Sequence, residues 1–203
     1  MCQLFESLKI KDGKAFHVDL HQNRMDRSVK EIFKTVNSIN IASTLNDIKI
    51  PQKGLFKCRI VYDEVLRSIE FVPYIQKSIH SLGLVEADDL DYDLKFVDRK
   101  KLIELIVENS NVDEIIILKN GFITDSSFSN LVFWDGEEWH TPDKPLFKGI
   151  QREFLLSQNM IKEAEIRLTD LKKYNKVGLI NAMMDFESIP IVEMAKVDFK
   201  DFK

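Results

Sequence analysis

The sequence predicts a mixed-sheet protein of the α/β (α+β) class built from two lobes, and three observations carry that expectation. Short apolar runs at strand spacing alternate with segments whose apolar residues recur at helical spacing. Tight-turn signatures join several of the strands, among them Lys11-Asp12-Gly13-Lys14, Asn120-Gly121 and Asp135-Gly136. An acidic stretch at residues 83–89 reads as a linker, which sets the expected domains at residues 1–86, a small α+β lobe, and 87–203, a larger one. A chain of 203 residues is long enough to bury a core in each.

Taken in order, residues 5–10 read as a strand, residues 11–14 as a hairpin turn and residues 15–18 as its partner. In residues 19–36, Leu20, Met25, Val29, Ile32 and Phe33 fall at helical spacing, with Asp19 as the expected N-cap. Residues 54–61 and 65–74 are two further strands, the second closed by Pro73 at an edge or exit. Beyond the linker comes an extended segment at residues 91–97. A helix over residues 98–108 follows, burying Leu102, Leu105 and Ile106. The apolar run at residues 113–118 turns at Asn120-Gly121 into a second strand, which delivers Asp125 into Ser126-Ser127-Phe128-Ser129-Asn130. A strand at residues 131–134, a helix from Gly149 to about Gln158 and short strands at 165–168 and 177–180 complete the set. Asn181-Ala182-Met183-Met184 is the loop after the last of these.

Composition narrows the function classes. The 44% hydrophobic and 31% charged content is that of a soluble globular protein. A net charge of −4 argues against nucleic acid as a partner. Cys2 and Cys58 make no disulfide framework, so a reducing, cytoplasmic setting is expected. They also lack zinc-site spacing, and His17, His21, His80 and His140 are scattered, so no metal is expected. No apolar run approaches the roughly 20 residues of a membrane span. The first residues have neither the basic start nor the apolar centre of a signal peptide.

A few side chains could carry chemistry. Asp125 is placed where a strand enters the interior, and a buried carboxylate needs a partner or protonates. It also reads as an ordinary Asx turn. Lys95 lies among Leu94, Phe96 and Val97, a setting that would disfavour its ammonium and free an amine nucleophile. The same position suits a lysine that snorkels to water. Arg24 borders the apolar face of its helix, as an anion clamp or a surface ion-pair residue would. Gly149-Ile150-Gln151 opens a helix, where free N–H groups favour a phosphate or serve a plain cap.

Together, residues 95–99, 113–134, Thr141-Pro142 and Gly149-Ile150-Gln151-Arg152 resemble, in order and spacing, the class IV aminotransferases. These are pyridoxal-phosphate enzymes of fold type IV, whose larger lobe is barrel-like. Phe5-Glu6-Ser7 and the His21, Arg24, Ser28 pattern extend the resemblance to the first lobe. It implies that Lys95 forms the Schiff base with pyridoxal 5'-phosphate and that Asp125 pairs with the pyridine nitrogen. It further implies cofactor contacts from Arg24, Ser126, Gly149, Ile150, Gln151, Asn181 and Ala182, and substrate contacts from Arg59 and Met183. A homodimer is implied as well. Three departures stand out: Asp125 where glutamate is usual, Gln151 where threonine is common, and a start close to Phe5 without the strand and loop that usually precede it. Residues 94–99 and 181–184 look most like aminodeoxychorismate lyases, which make 4-aminobenzoate and pyruvate for folate synthesis. A branched-chain or D-amino-acid aminotransferase, and a shortened non-catalytic binding protein, are the alternatives.

Overall fold

The structure, a computed structural model, describes residues 3–199. Two compact units emerge, one from residues 3–76 and 94–98 and the other from residues 77–93 and 99–199.

In the first unit, β1 (Leu4–Lys11), β2 (Lys14–Ala15), β3 (Leu55–Tyr62) and β4 (Leu66–Pro73) form an antiparallel sheet in the order β2-β1-β3-β4. The strand period of two sends Leu4, Leu8 and Ile10 into the core, with Cys58, Ile60 and Tyr62 of β3 beside them. Met25 and Val29 from α1 (Val18–Phe33) and Ile41 and Leu45 from α2 (Ile41–Asn46) close that core. The expected strand over residues 15–18 stops early. Phe16 N–H donates to the Lys9 carbonyl, and His17 then turns the chain at φ 55° so that Val18 begins the helix. His17 is thus the N-cap instead of Asp19, whose carboxylate sits in the first turn, where the helix dipole favours it. Residues 94–98 return to this unit as an added edge: Phe5 N–H donates to the Lys95 carbonyl and Val97 N–H to the Gln3 carbonyl.

In the second unit, β5 (Leu82–Glu86), β6 (Glu114–Lys119) and β7 (Phe122–Ile123) build one sheet. The second sheet contains β8 (Asn130–Trp134), β9 (Trp139–Pro142), β10 (Lys162–Ala164), β11 (Lys176–Ile180) and β12 (Ile191–Glu193). A last strand, β13 (Val197–Asp198), joins the first, giving the orders β13-β5-β6-β7 and β10-β9-β8-β11-β12. Leu84, Ile116 and Leu118 of one sheet meet Leu131, Phe133, Val177 and Leu179 of the other in the central core. The outer face of the first sheet packs Ile115 and Ile117 on Leu102 of α3 (Lys100–Glu108). The outer face of the second packs Val132 and Ile180 on Leu155 of α4 (Ile150–Ser157). Strands covered on both faces read as unbroken apolar runs, which is why β6 and β8 were legible.

The division of the chain falls after residue 76 instead of 86, because residues 82–86 are a strand and not a linker. That strand runs parallel to β6, pairing Leu82 with Glu114 through to Glu86 with Leu118. Likewise the short strand expected at 165–168 lies at β10, whose parallel pairing with β9 starts at Lys162 and His140. The Asn120-Gly121 turn forms as expected, both residues at positive φ (51° and 79°) with Lys119 opposite Phe122. Phe133 is fully buried between the sheets, so Phe133→Ala is expected to destabilise this unit by about 3–5 kcal/mol. A urea midpoint shift by circular dichroism would measure it, and an unchanged midpoint would contradict the packing described.

Candidate active site

Consecutive residues of β1 serve opposite faces of its sheet, and the motif Phe5-Glu6 uses both. On one face the Phe5 ring lies beneath the Arg59 guanidinium, 4.8 Å from its centroid, and the Lys95 ammonium, 5.0 Å from it. Lys95 and Arg59 are half-buried, and the backbone pairing of residues 95–97 with the start of β1 sets the lysine beside Phe5. On the other face Glu6 is buried among the residues of α1. That helix aligns His21, Arg24 and Ser28 with Met25 and Val29 on its buried side. Arg24 donates from Nε to Glu6 Oε1 at 2.9 Å and from Nη2 to Oε2, while His21 Nδ1 lies 2.6 Å from Oε2. Burial works to raise the Glu6 pKa, but Arg24 and His21 outweigh it and hold the carboxyl at about 2. Burial pushes the His21 pKa down; the hydrogen bond and charge of Glu6 act upward, the positive charges of Arg24 and Lys95 act downward, and the net direction is down. The ring is therefore neutral at pH 7.

In the second unit Asp125 sits at the seam of the two sheets. Its carbonyl accepts from Ile117 N–H of β6 at 2.8 Å, and it bridges to Asn130 at the start of β8. Asn130 Nδ2 donates to Asp125 Oδ1 at 2.6 Å, and Phe147 N–H donates to Oδ2 at 2.8 Å. Both donors favour the ionised form, and the charge of Arg152 favours it further. Burial overrides them and pushes the Asp125 pKa up to about 7.

The Asn130 amide reaches further. Nδ2 also donates to the Phe147 carbonyl at 2.7 Å, and Oδ1 accepts from Gly149 N–H at 3.1 Å. Gly149 comes so near that a Cβ there would stand 2.1 Å from Asn130 Oδ1. This residue is the N-cap of α4, and a glycine has no side chain with which to cap the Ile150 and Gln151 N–H groups. Next along the chain, Ser129 Oγ accepts from Asn181 Nδ2 at 3.0 Å, and Asn181 Oδ1 accepts from Met183 N–H at 2.9 Å. Ser126 Oγ accepts from Ser129 N–H, tightening the same loop, and Arg99 donates to the Ser127 carbonyl. Asp125, Ser126, the start of α4 and the 181–183 turn are thus one hydrogen-bonded assembly.

Arg24, Arg59 and Lys95 belong to the first unit and the other expected site residues to the second. Four residues with a part in the geometry had been given no role from sequence: Glu6, His21, Asn130 and Arg152. A signal existed for the first two, since a polar side chain at an inward strand position or on the apolar face of a helix demands a partner.

The amino-transferase class IV family model matches residues 96–192. An uncharacterized protein of Haemophilus influenzae is 38% identical over 186 residues, 90% of this chain and 98% of its own length. A solved structure from Haemophilus somnus 129pt, named "putative 4-amino-4-deoxychorismate lyase", is 36% identical over 90% of this chain and 97% of that one, with a TM-score of 0.85. The chain belongs to the class IV amino-transferase family. The fold is shared with the PLP-bound form of "a hypothetical aminotransferase" from Mycobacterium tuberculosis, at 14% identity, 97% and 81% coverage and a TM-score of 0.76. Among the described residues, no helix is long and apolar enough to cross a membrane, and no group of three or more His, Cys, Asp or Glu side chains is placed to hold a metal ion.

Two outcomes follow from the Asp125 assembly. An acid whose folded pKa is raised contributes stability that is present below its unfolded pKa near 4 and lost as pH rises through about 7. Between pH 4 and 8 the ligand-free wild type should therefore lose up to about 4 kcal/mol relative to Asp125→Asn. Parallel pH profiles of thermal unfolding for the two proteins would exclude this titration. Second, Gly149→Ala must displace the Asn130 amide. It should destabilise the protein by about 1–3 kcal/mol, read as a fall in urea midpoint.

Proposed function

We propose that the chain is a pyridoxal-phosphate enzyme that acts as a 4-amino-4-deoxychorismate lyase, forming 4-aminobenzoate and pyruvate for folate synthesis, and that it works as a homodimer. The observation that carries the cofactor is Asp125. Its carboxyl is buried among neutral donors, the Asn130 amide and the Phe147 N–H among them, and burial pushes its pKa up to about 7. A carboxylate oxygen accepts more than one hydrogen bond, and a protonated pyridine nitrogen is the cationic donor that would match this charge. The helix start at Gly149 suits a phosphate by the same logic, with N–H groups and a positive dipole end and no side-chain cap. The 36% identity with the Haemophilus somnus protein supports the lyase. The PLP-bound mycobacterial structure of the same fold supports the cofactor.

When bound, pyridoxal phosphate supplies an electron sink for a substrate carbanion. The chain supplies the rest. Arg24 and the Ile150 and Gln151 N–H groups would be the phosphate ligands, with Gly149, Ser126, Asn181 and Ala182 as further cofactor contacts. Asp125, ionised beside the cationic ring nitrogen, would keep it protonated. Lys95 would hold the cofactor through its amine, and its Nζ would serve as the base that takes the proton from the substrate carbon beside the amine. Arg59, stacked on Phe5 as Lys95 is, would hold a substrate carboxylate, and Met183 would line the substrate side.

Borohydride reduction in the presence of pyridoxal phosphate, followed by peptide mass mapping, should place the pyridoxyl label on Lys95; a label elsewhere would refute the assignment. Lys95→Ala should lower 4-aminobenzoate formation from aminodeoxychorismate, followed by product fluorescence, by about 10³-fold or more. Turnover of amino acids with 2-oxoglutarate, and none of aminodeoxychorismate, would replace the lyase with an aminotransferase.

A further inference from the structure

His21 keeps a buried nitrogen unsatisfied, and a phenylalanine in its place would not. The ring is fully buried, and among the described residues its Nε2 has no hydrogen-bond partner, a state that costs stability. What histidine adds over an apolar ring is the Nδ1–H, aimed at Glu6 Oε2 at 2.6 Å. The neutral ring carries its proton on Nδ1, and the Lys95 charge nearby helps to keep it neutral. Glu6 therefore receives Nδ1 of His21 together with the Nε and Nη2 of Arg24. The two guanidinium bonds tie Arg24 to both carboxylate oxygens, and the imidazole bond adds a second tether on Oε2. His21 and Arg24 are one helical turn apart on α1, and Glu6 reaches them from β1, so strand and helix must both be in place for the clamp to close.

We propose that Glu6 and His21 are positioning residues that aim Arg24 at the phosphate of the cofactor, so that together they set the preference for the phosphorylated over the unphosphorylated ligand. The inference rests on the reading of Arg24 as a phosphate ligand given above. Both ligands bring the same aldehyde to Lys95, so the ratio of their affinities isolates the phosphate.

The test is the dissociation constant of the full chain for pyridoxal phosphate and for pyridoxal, from titrations of intrinsic fluorescence, with the thermal midpoint of every variant. His21→Phe removes the Nδ1 donor and the orphaned Nε2 together. It should lower the affinity ratio by about 10-fold, the usual size for loss of a supporting partner, and leave the midpoint near that of the wild type. His21→Asn, whose amide nitrogen can stand near the position of Nδ1, should restore most of the ratio. Glu6→Gln should lower it further, and in an Arg24→Gln background neither change should lower it again. If Arg24→Gln leaves the ratio unchanged, the phosphate reading and this inference both fall. If Arg24→Gln lowers it but His21→Phe and Glu6→Gln do not, or weaken both ligands equally, only the positioning role falls.

Discussion

One side-chain amide, that of Asn130, ties together the second unit's part of the site. Its two N–H groups are spent on Asp125 and the Phe147 carbonyl, and its oxygen accepts from Gly149. The acid, the loop that follows β9 and the first turn of α4 therefore share one origin. No other residue of similar size offers two donors and an acceptor in this arrangement. Aspartate would set a second carboxylate against Asp125, and leucine would leave three buried polar groups unpaired. The absence of a side chain at 149 follows from the same constraint, since its backbone φ of −76° is open to any residue and only the approach to Asn130 forbids a Cβ.

The two buried acids show how differently one chemical group can be held. Glu6 and Asp125 are both withdrawn from water, yet one is held at about 2 and the other pushed up to about 7. Glu6 touches a guanidinium directly, and its charge is already matched inside the first unit. Asp125 touches an amide and a peptide N–H, with the Arg152 charge acting without a direct hydrogen bond, and these do not repay its desolvation. A settled ion pair is what a structural or positioning role needs. An acid short of one cation is what a cofactor or substrate site needs.

Much of this was readable along the chain wherever a signal is local. The helix of residues 19–36 came from its own periodicity, the β6–β7 hairpin from Asn120-Gly121, and the α4 start from Gly149. Failures came where distant pairing decided the outcome. Residues 82–86 carry Gly83 and lead into a run of acids, so they look like a linker. They form a strand because β6, some 30 residues on, pairs beside them. His17 became the helix cap for a similar reason, since the β1–β2 hairpin brings the chain to a reversal there.

The sequence by itself determined the class of the fold, the family motifs and which side chains are chemically able to act, because those depend on residue type and on spacing within a dozen positions. It marked Asp125 as an acid in need of a partner and Arg24 as a cation at the edge of an apolar face. Only the tertiary structure decided what those charges meet. The donors to Asp125 come from 5 and 22 residues away, and the carboxylate that grips Arg24 lies 18 residues back on another element. A charge is set by its neighbours in space and by the water they exclude, and neither can be read until the chain has folded.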